Sequence, residues 1–339
     1  MAVRRYVTPG RVLALGVILL GVVFFLWAVP SREYIFLPDP ARPVDPLVTV
    51  AGGHETKNGG GIYFVDVIVR KASLLERLFG GLHKGADLYP ASDVVGPGLS
   101  GAQEHAEDVA EMQQSQQTAA VVAFRALGRK VKLTANGAVV EDLQAGSPAA
   151  AKLAPGDVIV AVDGKRVRSP DGVAKAMRGQ KVGDRITFTV LRDGSQRSFA
   201  LRTVAASPHS KRAIVGVYLG PSDSIHLPEP VTIDANGVVG PSAGLAFALD
   251  LLQKLGRNVD HGRKVAATGE INMNGSVSPI GGIKQKTIGA REAGVDVFLV
   301  PAGQNARDAR KYADGLRIIP VKNFQQALHA LATLPPVHS

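Results

Sequence analysis

The stretch that most constrains the fold is Gly240-Pro241-Ser242-Ala243-Gly244, which runs without a break into the apolar segment Leu245 to Leu252. Proline suits the first turn of a helix, where its missing N–H costs nothing, and Gly256 stands where such a helix would end. Ser242 then sits at the positive end of the helix dipole. Free backbone N–H groups at that end can stabilise an oxyanion, and the small residues let a peptide carbonyl approach. Read alone, the segment equally describes a plain serine N-cap.

Downstream, Thr268-Gly269-Glu270-Ile271 reads as a strand. It leads through Gly275 to Pro279-Ile280-Gly281-Gly282-Ile283-Lys284-Gln285-Lys286, a glycine-rich turn opening a helix with two lysines in its first turn. None of the eight histidines stands in a comparable setting beside Ser242. An activated serine here therefore takes a lysine as its base.

These two motifs, with Val265 to Pro301 around the second, resemble the proteolytic domain of the Lon protease family, over roughly Ala213 to Leu334. That family uses a Ser–Lys dyad. The resemblance implies Ser242 as nucleophile, Lys286 and not Lys284 as base, and Thr268 as the residue that orients the base. It also places the oxyanion-hole region at Gly240 and Ala243. The ATP-dependent members usually carry an acidic residue before G-P-S, where this chain has Val238-Val239, so no carboxylate is expected beside the serine from that position.

Chemistry constrains Lys286 independently. A lysine at about 10.4 is neutral in only about one molecule in 2,500 at pH 7, so a working base needs a pKa near 7, at a cost of about 4 kcal/mol. Burial supplies most of such a fall, and the first turn of a helix disfavours the cation further. Lys284, two positions away, points to another side of the helix and reads as a solvated or pairing lysine.

A second module is marked by Gly146-Ser147-Pro148-Ala149-Ala150, Pro155-Gly156-Asp157-Val158-Ile159, Val162-Asp163-Gly164 and Val182-Gly183-Asp184. These runs resemble the bacterial type of PDZ domain, over residues 126–204, with a helix from Pro170 to Met177 flanking the groove. The resemblance implies a peptide ligand added as a strand to a sheet edge. The family's carboxylate-binding loop has no clear match. A small β domain that only packs against the protease is the alternative.

At the other end, Val12 to Pro30 contains no charged residue and follows Arg4, Arg5 and Arg11. The run predicts a transmembrane helix over 12–30, a cytoplasmic N-terminus over 1–11 and an extracytoplasmic body. A cleaved signal peptide is the rival reading. Pro38, Pro40, Pro43 and Pro46 predict an extended spacer over 31–46. Residues 47–125 read as a β-rich region with a helical insert at Ser73 to Phe79 and a long helix from Ala102 to Leu127. The polar run Gln113 to Gln117 on that helix reads as a solvated or oligomer-facing surface.

The expected class is thus an α/β (α+β) multidomain chain: transmembrane helix, β-rich region, PDZ domain and Lon-type proteolytic domain over 213–334. The net charge of +10 is scattered and few aromatic residues accompany it, which argues against nucleic acid and leaves membrane lipid as the acidic neighbour. With no cysteine, no H-E-x-x-H and no G-x-x-x-x-G-K-[ST], neither metal nor nucleotide cofactor is expected, and polypeptide substrates must arrive unfolded or flexible. A homo-oligomer is implied by the Lon resemblance alone. The function expected is ATP-independent serine endopeptidase, and the alternative is a catalytically silent PDZ adaptor.

Overall fold

The computed structural model describes residues 9–54, 59–95, 101–192, 194–208, 210–235 and 237–335. Arg4 and Arg5 lie outside them, as do 96–100 of the loop before the long helix. The chain divides into two compact units, Val131–His226 and a discontinuous one formed by Met1–Lys130 with Leu227–Ser339.

The discontinuous unit opens with a helix, Pro9–Ala28. Among the described residues no helix is long and apolar enough to cross a membrane, so the span expected over 12–30 is not supported. The helix ends at Ala28. Its uncharged run from Val12 is then shorter than the roughly 20 residues that a 30 Å hydrocarbon core asks for. The proline-rich stretch is no simple spacer either. Pro30–Pro38 is the central strand of an antiparallel sheet, between Val67–Ser73 and Asp87–Pro90. Its two prolines fall at the strand's ends, where a missing N–H is tolerated. The helical insert is Leu74–Leu78, started by a capping box in which Ser73 accepts from the Glu76 N–H and the Glu76 carboxylate accepts from the Ser73 N–H.

The heart of this unit is a five-stranded sheet in the order Arg42–Pro43, Gly61–Phe64, Lys264–Ala267, Val297–Pro301, Arg317–Val321. All neighbours but the first pair run parallel. Val265, Ala266, Ala267, Leu299 and Val300 are fully buried, as a parallel strand covered on both faces requires, and this is why these segments read as unbroken apolar runs. The helix Ile283–Glu292 connects the third and fourth strands, and Gln304–Lys311 the fourth and fifth.

Strand Gly61–Phe64 and the long helix Gly101–Ala126 belong to this fold rather than to a separate β-rich region. The strand pairs with Lys264–Ala267, and the helix packs on the apolar helix Gly244–Lys254 through Met112, Ala119, Ala120 and Ala123. Chain order conceals this, because nearly a hundred residues of the other unit come between.

In that other unit the sheet order is Ser195–Arg202, Arg185–Arg192, Val158–Val162, Lys132–Leu143, Val217–His226, with Pro170–Met177 as its helix. Val217–His226, although inside the range 213–334 expected for the Lon-type domain, pairs along Lys132–Leu143 of this unit in antiparallel register. Ile159, Val162, Ile186, Phe188 and Val190 fill the core, the last three on alternating positions of Arg185–Arg192.

Candidate active site

Ser242 lies on a short 3₁₀ turn, Pro241–Ala243, that feeds the helix Gly244–Lys254. It is not the helix N-cap: Ala243 holds that position, and no side chain caps it. The turn is entered through Gly240 at φ 82°, a conformation that strains any residue with a Cβ. Three groups then fix the turn's backbone. The Gly269 N–H donates to the Ser242 carbonyl at 2.8 Å and the Thr268 hydroxyl to the same oxygen at 3.2 Å, while the Ser115 hydroxyl donates to the Pro241 carbonyl at 3.0 Å.

Lys286 comes from the first turn of Ile283–Glu292, a helix begun by Gly282 in the left-handed region. The side chain turns inward and is 4% exposed. Its Nζ donates to Ser242 Oγ at 2.5 Å and reaches Thr268 Oγ1 at 3.4 Å. Two motifs 44 residues apart in sequence thus meet in one hydrogen bond. Burial lowers the Lys286 pKa from 10.5 to about 8, against the opposing pull of the Asp66 carboxylate. Lys284 points elsewhere, as a pairing lysine, with Nζ 2.7 Å from Asp87 Oδ1.

Thr268 is fully buried and touches both the serine's backbone and the lysine's ammonium. Gly240 departs from expectation. Its N–H donates to the Asp108 carbonyl of the long helix at 3.1 Å, so it is not an open oxyanion donor. The reason is tertiary: the long helix lies over the turn. Ala243 remains at the helix start.

Two contributors escape a reading of the motifs. Asp66, just past strand Gly61–Phe64, supplies the negative charge felt by Lys286 and is itself held by the Val67 N–H at 2.7 Å. It comes from a segment 176 residues earlier than Ser242 in the chain. Ser115 sits in the polar run Gln113–Gln117, yet is buried against the nucleophile turn rather than solvated. A lone serine among glutamines carries no signal of that.

The other unit has a groove of about 820 Å³ between helix Pro170–Met177 and the edge strand Val217–His226. Val173, Met177, Phe188 and Leu219 form its apolar lining, with Lys211 and Arg212 among its lining residues. The edge strand pairs on one side only, so its other row of backbone groups faces the groove. Among the described residues no cluster of three or more His, Asp or Glu side chains is arranged to hold a metal.

With this geometry in hand, residues 202–333 match the family described as Lon protease (S16) C-terminal proteolytic domain. The chain carries a Lon-type serine-peptidase domain. Residues 125–203 match the PDZ domain family, so a PDZ domain is present as well. Lon protease 2 of Bacillus subtilis is 37% identical over 119 residues, covering 34% of this chain and 20% of that protein. The Lon protease of Azorhizobium caulinodans is 38% identical over 109 residues, covering 31% of this chain and 12% of that protein. The chain thus spans a fifth or less of the length of these two relatives. The PDZ domain of an SdrC-like protein from Listeria monocytogenes, 24% identical, aligns with 26% of this chain and 92% of its own at a TM-score of 0.24.

Proposed function

We propose that the protein is an ATP-independent serine endopeptidase that cleaves unfolded or flexible polypeptides with Ser242 as nucleophile and Lys286 as general base. The 2.5 Å contact between Lys286 Nζ and Ser242 Oγ, inside a buried site, is the observation that carries the reading. Neutral Lys286 takes the serine proton as Oγ attacks the peptide carbonyl. The resulting ammonium returns that proton to the leaving amine, and the lysine then deprotonates the water that opens the acyl-enzyme. Thr268 holds the lysine's Nζ toward Oγ. The Ala243 N–H, at the start of helix Gly244–Lys254, is the donor assigned to the developing oxyanion, because the Gly244 and Leu245 N–H groups already donate to the Pro241 and Gly269 carbonyls.

The PDZ domain recruits or gates substrate by taking a peptide strand along Val217–His226, with the apolar lining selecting its side chains and Lys211 and Arg212 attracting a carboxylate. The reading includes a homo-oligomer and a membrane address, N-terminus cytoplasmic and catalytic domain outside. Exposed Leu13, Leu15, Leu20 and Phe24 along Pro9–Ala28 support lipid contact, and local thinning of the bilayer would accompany a full crossing by so short an apolar run.

Incubating the full chain in detergent with an unfolded protein, beside Ser242→Ala and Lys286→Ala, tests the catalytic reading by mass spectrometry of the fragments. Cleavage lost in both folded variants supports the dyad; identical fragments from all three overturn it. Carbonate extraction of membranes and protease shaving of intact cells test the address.

A further inference from the structure

We propose that Asp87 is a positioning residue for the general base: its carboxylate clamps the first turn of helix Ile283–Glu292 and thereby holds Lys286 against Ser242. This rests on the Ser–Lys peptidase reading and adds to it a residue that lies in neither dyad motif.

The helix needs a hold from outside. It starts at Gly282 in the left-handed region, and no side chain caps its N-terminus. A first turn has N–H groups without partners inside the helix, so on its own it frays. Lys286 belongs to that turn, and a displacement of about 1 Å in a reacting group can cost about a hundredfold in rate.

Four hydrogen bonds to one short segment supply the hold. Lys284 Nζ donates to Asp87 Oδ1 at 2.7 Å and to the Ala86 carbonyl at 3.3 Å. Gln285 Nε2 donates to Asp87 Oδ2 at 2.8 Å and to the Gly85 carbonyl at 3.1 Å. A single carboxylate thus bridges the two residues that immediately precede the base, and its charge strengthens both bonds. Gln285 is 1% exposed, so loss of Asp87 would leave a buried amide donor without its partner.

Asp87 is itself fixed in place. It opens the strand Asp87–Pro90 and stands opposite Phe36 of Pro30–Pro38. Gly85, at φ 80°, passes so close to the helix that a Cβ there would stand 2.6 Å from Ile288 Cδ1. Further along the helix, the Ala41 N–H donates to the Gly289 carbonyl at 3.1 Å. Residues 38–41 and 85–87 therefore grip the helix of the base, and all of them precede the Lon match at 202–333. The hold is a property of this chain's own N-terminal half.

The test separates positioning from folding and from the chemistry. With the full chain in detergent, Asp87→Ala should lower kcat for a peptide ester at least about tenfold and leave KM within about twofold. Asp87→Asn keeps an oxygen for the Gln285 amide and should lose no more than about threefold. Gln285→Ala should fall as far as Asp87→Ala, and combining the two should cost no more than about threefold further, because they act through one contact. An unchanged kcat in Asp87→Ala, a change in KM alone, an Asp87→Asn as slow as Asp87→Ala, or losses that multiply in the double variant overturn the clamp. Gln285→Ala alone carries the kcat reading if Asp87→Ala does not fold.

Hydrogen exchange in the Ser242→Ala background gives a reading free of catalysis. Asp87→Ala, or Gln285→Ala in its place, should quicken exchange over residues 286–290 at least about tenfold and leave Lys264–Ala267 unchanged. Equal quickening in both segments marks general destabilisation and overturns the proposal, as does unchanged exchange over 286–290. Cleavage that survives Ser242→Ala sinks the peptidase reading instead, and the exchange result still decides the clamp.

Discussion

The Ser242–Lys286 site and the groove of the PDZ unit solve recognition in opposite ways. At the first, a handful of side chains meets at hydrogen-bonding distance: Lys286 reaches Ser242 Oγ and Thr268 Oγ1, and Thr268 also bonds the Ser242 carbonyl. At the second, an edge strand paired on one side lies beside an apolar helix face, the arrangement that the proposed strand addition would use through backbone groups. Side-chain chemistry demands particular residues and leaves a motif. Backbone recognition accepts many sequences and leaves almost none.

The sharpest way to break this contrast is at the dyad. Ser242→Ala, Lys286→Ala and Lys286→Arg should each reduce turnover at least about 1,000-fold, since a guanidinium keeps its proton as firmly as alanine lacks one. Steady-state hydrolysis of a peptide ester checks this. A loss below about tenfold would mean the site is no more residue-specific than the groove.

Burial without a partner is the next test, because the same unit holds a second buried ionisable group. Asp250 is 2% exposed, its Oδ2 has no hydrogen-bond partner among the described residues, and burial pushes its pKa up to about 7. Its folded pKa exceeds its unfolded value, so the folded chain binds the proton more tightly. The associated stability is therefore full below about pH 4 and lost as pH rises through 7, about 4 kcal/mol in all. Asp250→Asn should flatten that part of a stability–pH curve measured by denaturant melts. Lys286 works in the other direction. Its folded pKa, about 8, lies below its ordinary 10.5, so unfolding takes up a proton between those values and stability rises with pH across them. Lys286→Met should accordingly raise stability at pH 7 by about 3 kcal/mol while abolishing activity. If Lys286→Met destabilises instead, the lysine is structural.

A smaller effect is expected at the groove. Met177→Glu should weaken binding of an extended peptide about tenfold by placing a charge in the apolar lining, and leave ester hydrolysis at Ser242 unchanged. Calorimetry against the ester assay measures both. Coupled losses would show that the two regions do not act by separate means.

The smallest expected change is a shift of profile. Ester hydrolysis should rise with pH as Lys286 loses its proton near 8, and Asp66→Asn should move that rise toward lower pH, because the carboxylate it removes favours the ammonium. A shift toward higher pH would show that Asp66 acts otherwise.

Within the catalytic unit the sequence was informative where chemistry is local. Gly240 enters the Pro241–Ala243 turn at positive φ and Gly282 opens the helix that carries Lys286, and the three residues that the Lon resemblance singles out, Ser242, Lys286 and Thr268, meet at hydrogen-bonding distance. The oxyanion assignment of Gly240 did not hold, because its N–H is taken by Asp108, a partner 132 residues away. The role of the polar run around Ser115 went the same way, because the Ser115 hydroxyl bonds the Pro241 carbonyl, 126 residues away.

Residue types and their spacing therefore determined which groups can react, which helices present them and which segments are strands, since those follow from backbone preference and local periodicity. Only the tertiary structure decided that an inserted unit separates the long helix from the Ser242 turn it covers, and that Lys286 feels the charge of Asp66 from a distant part of the chain. Such pairings depend on chain closure over a hundred residues or more, and no local preference encodes which distant side chain will fill a given space.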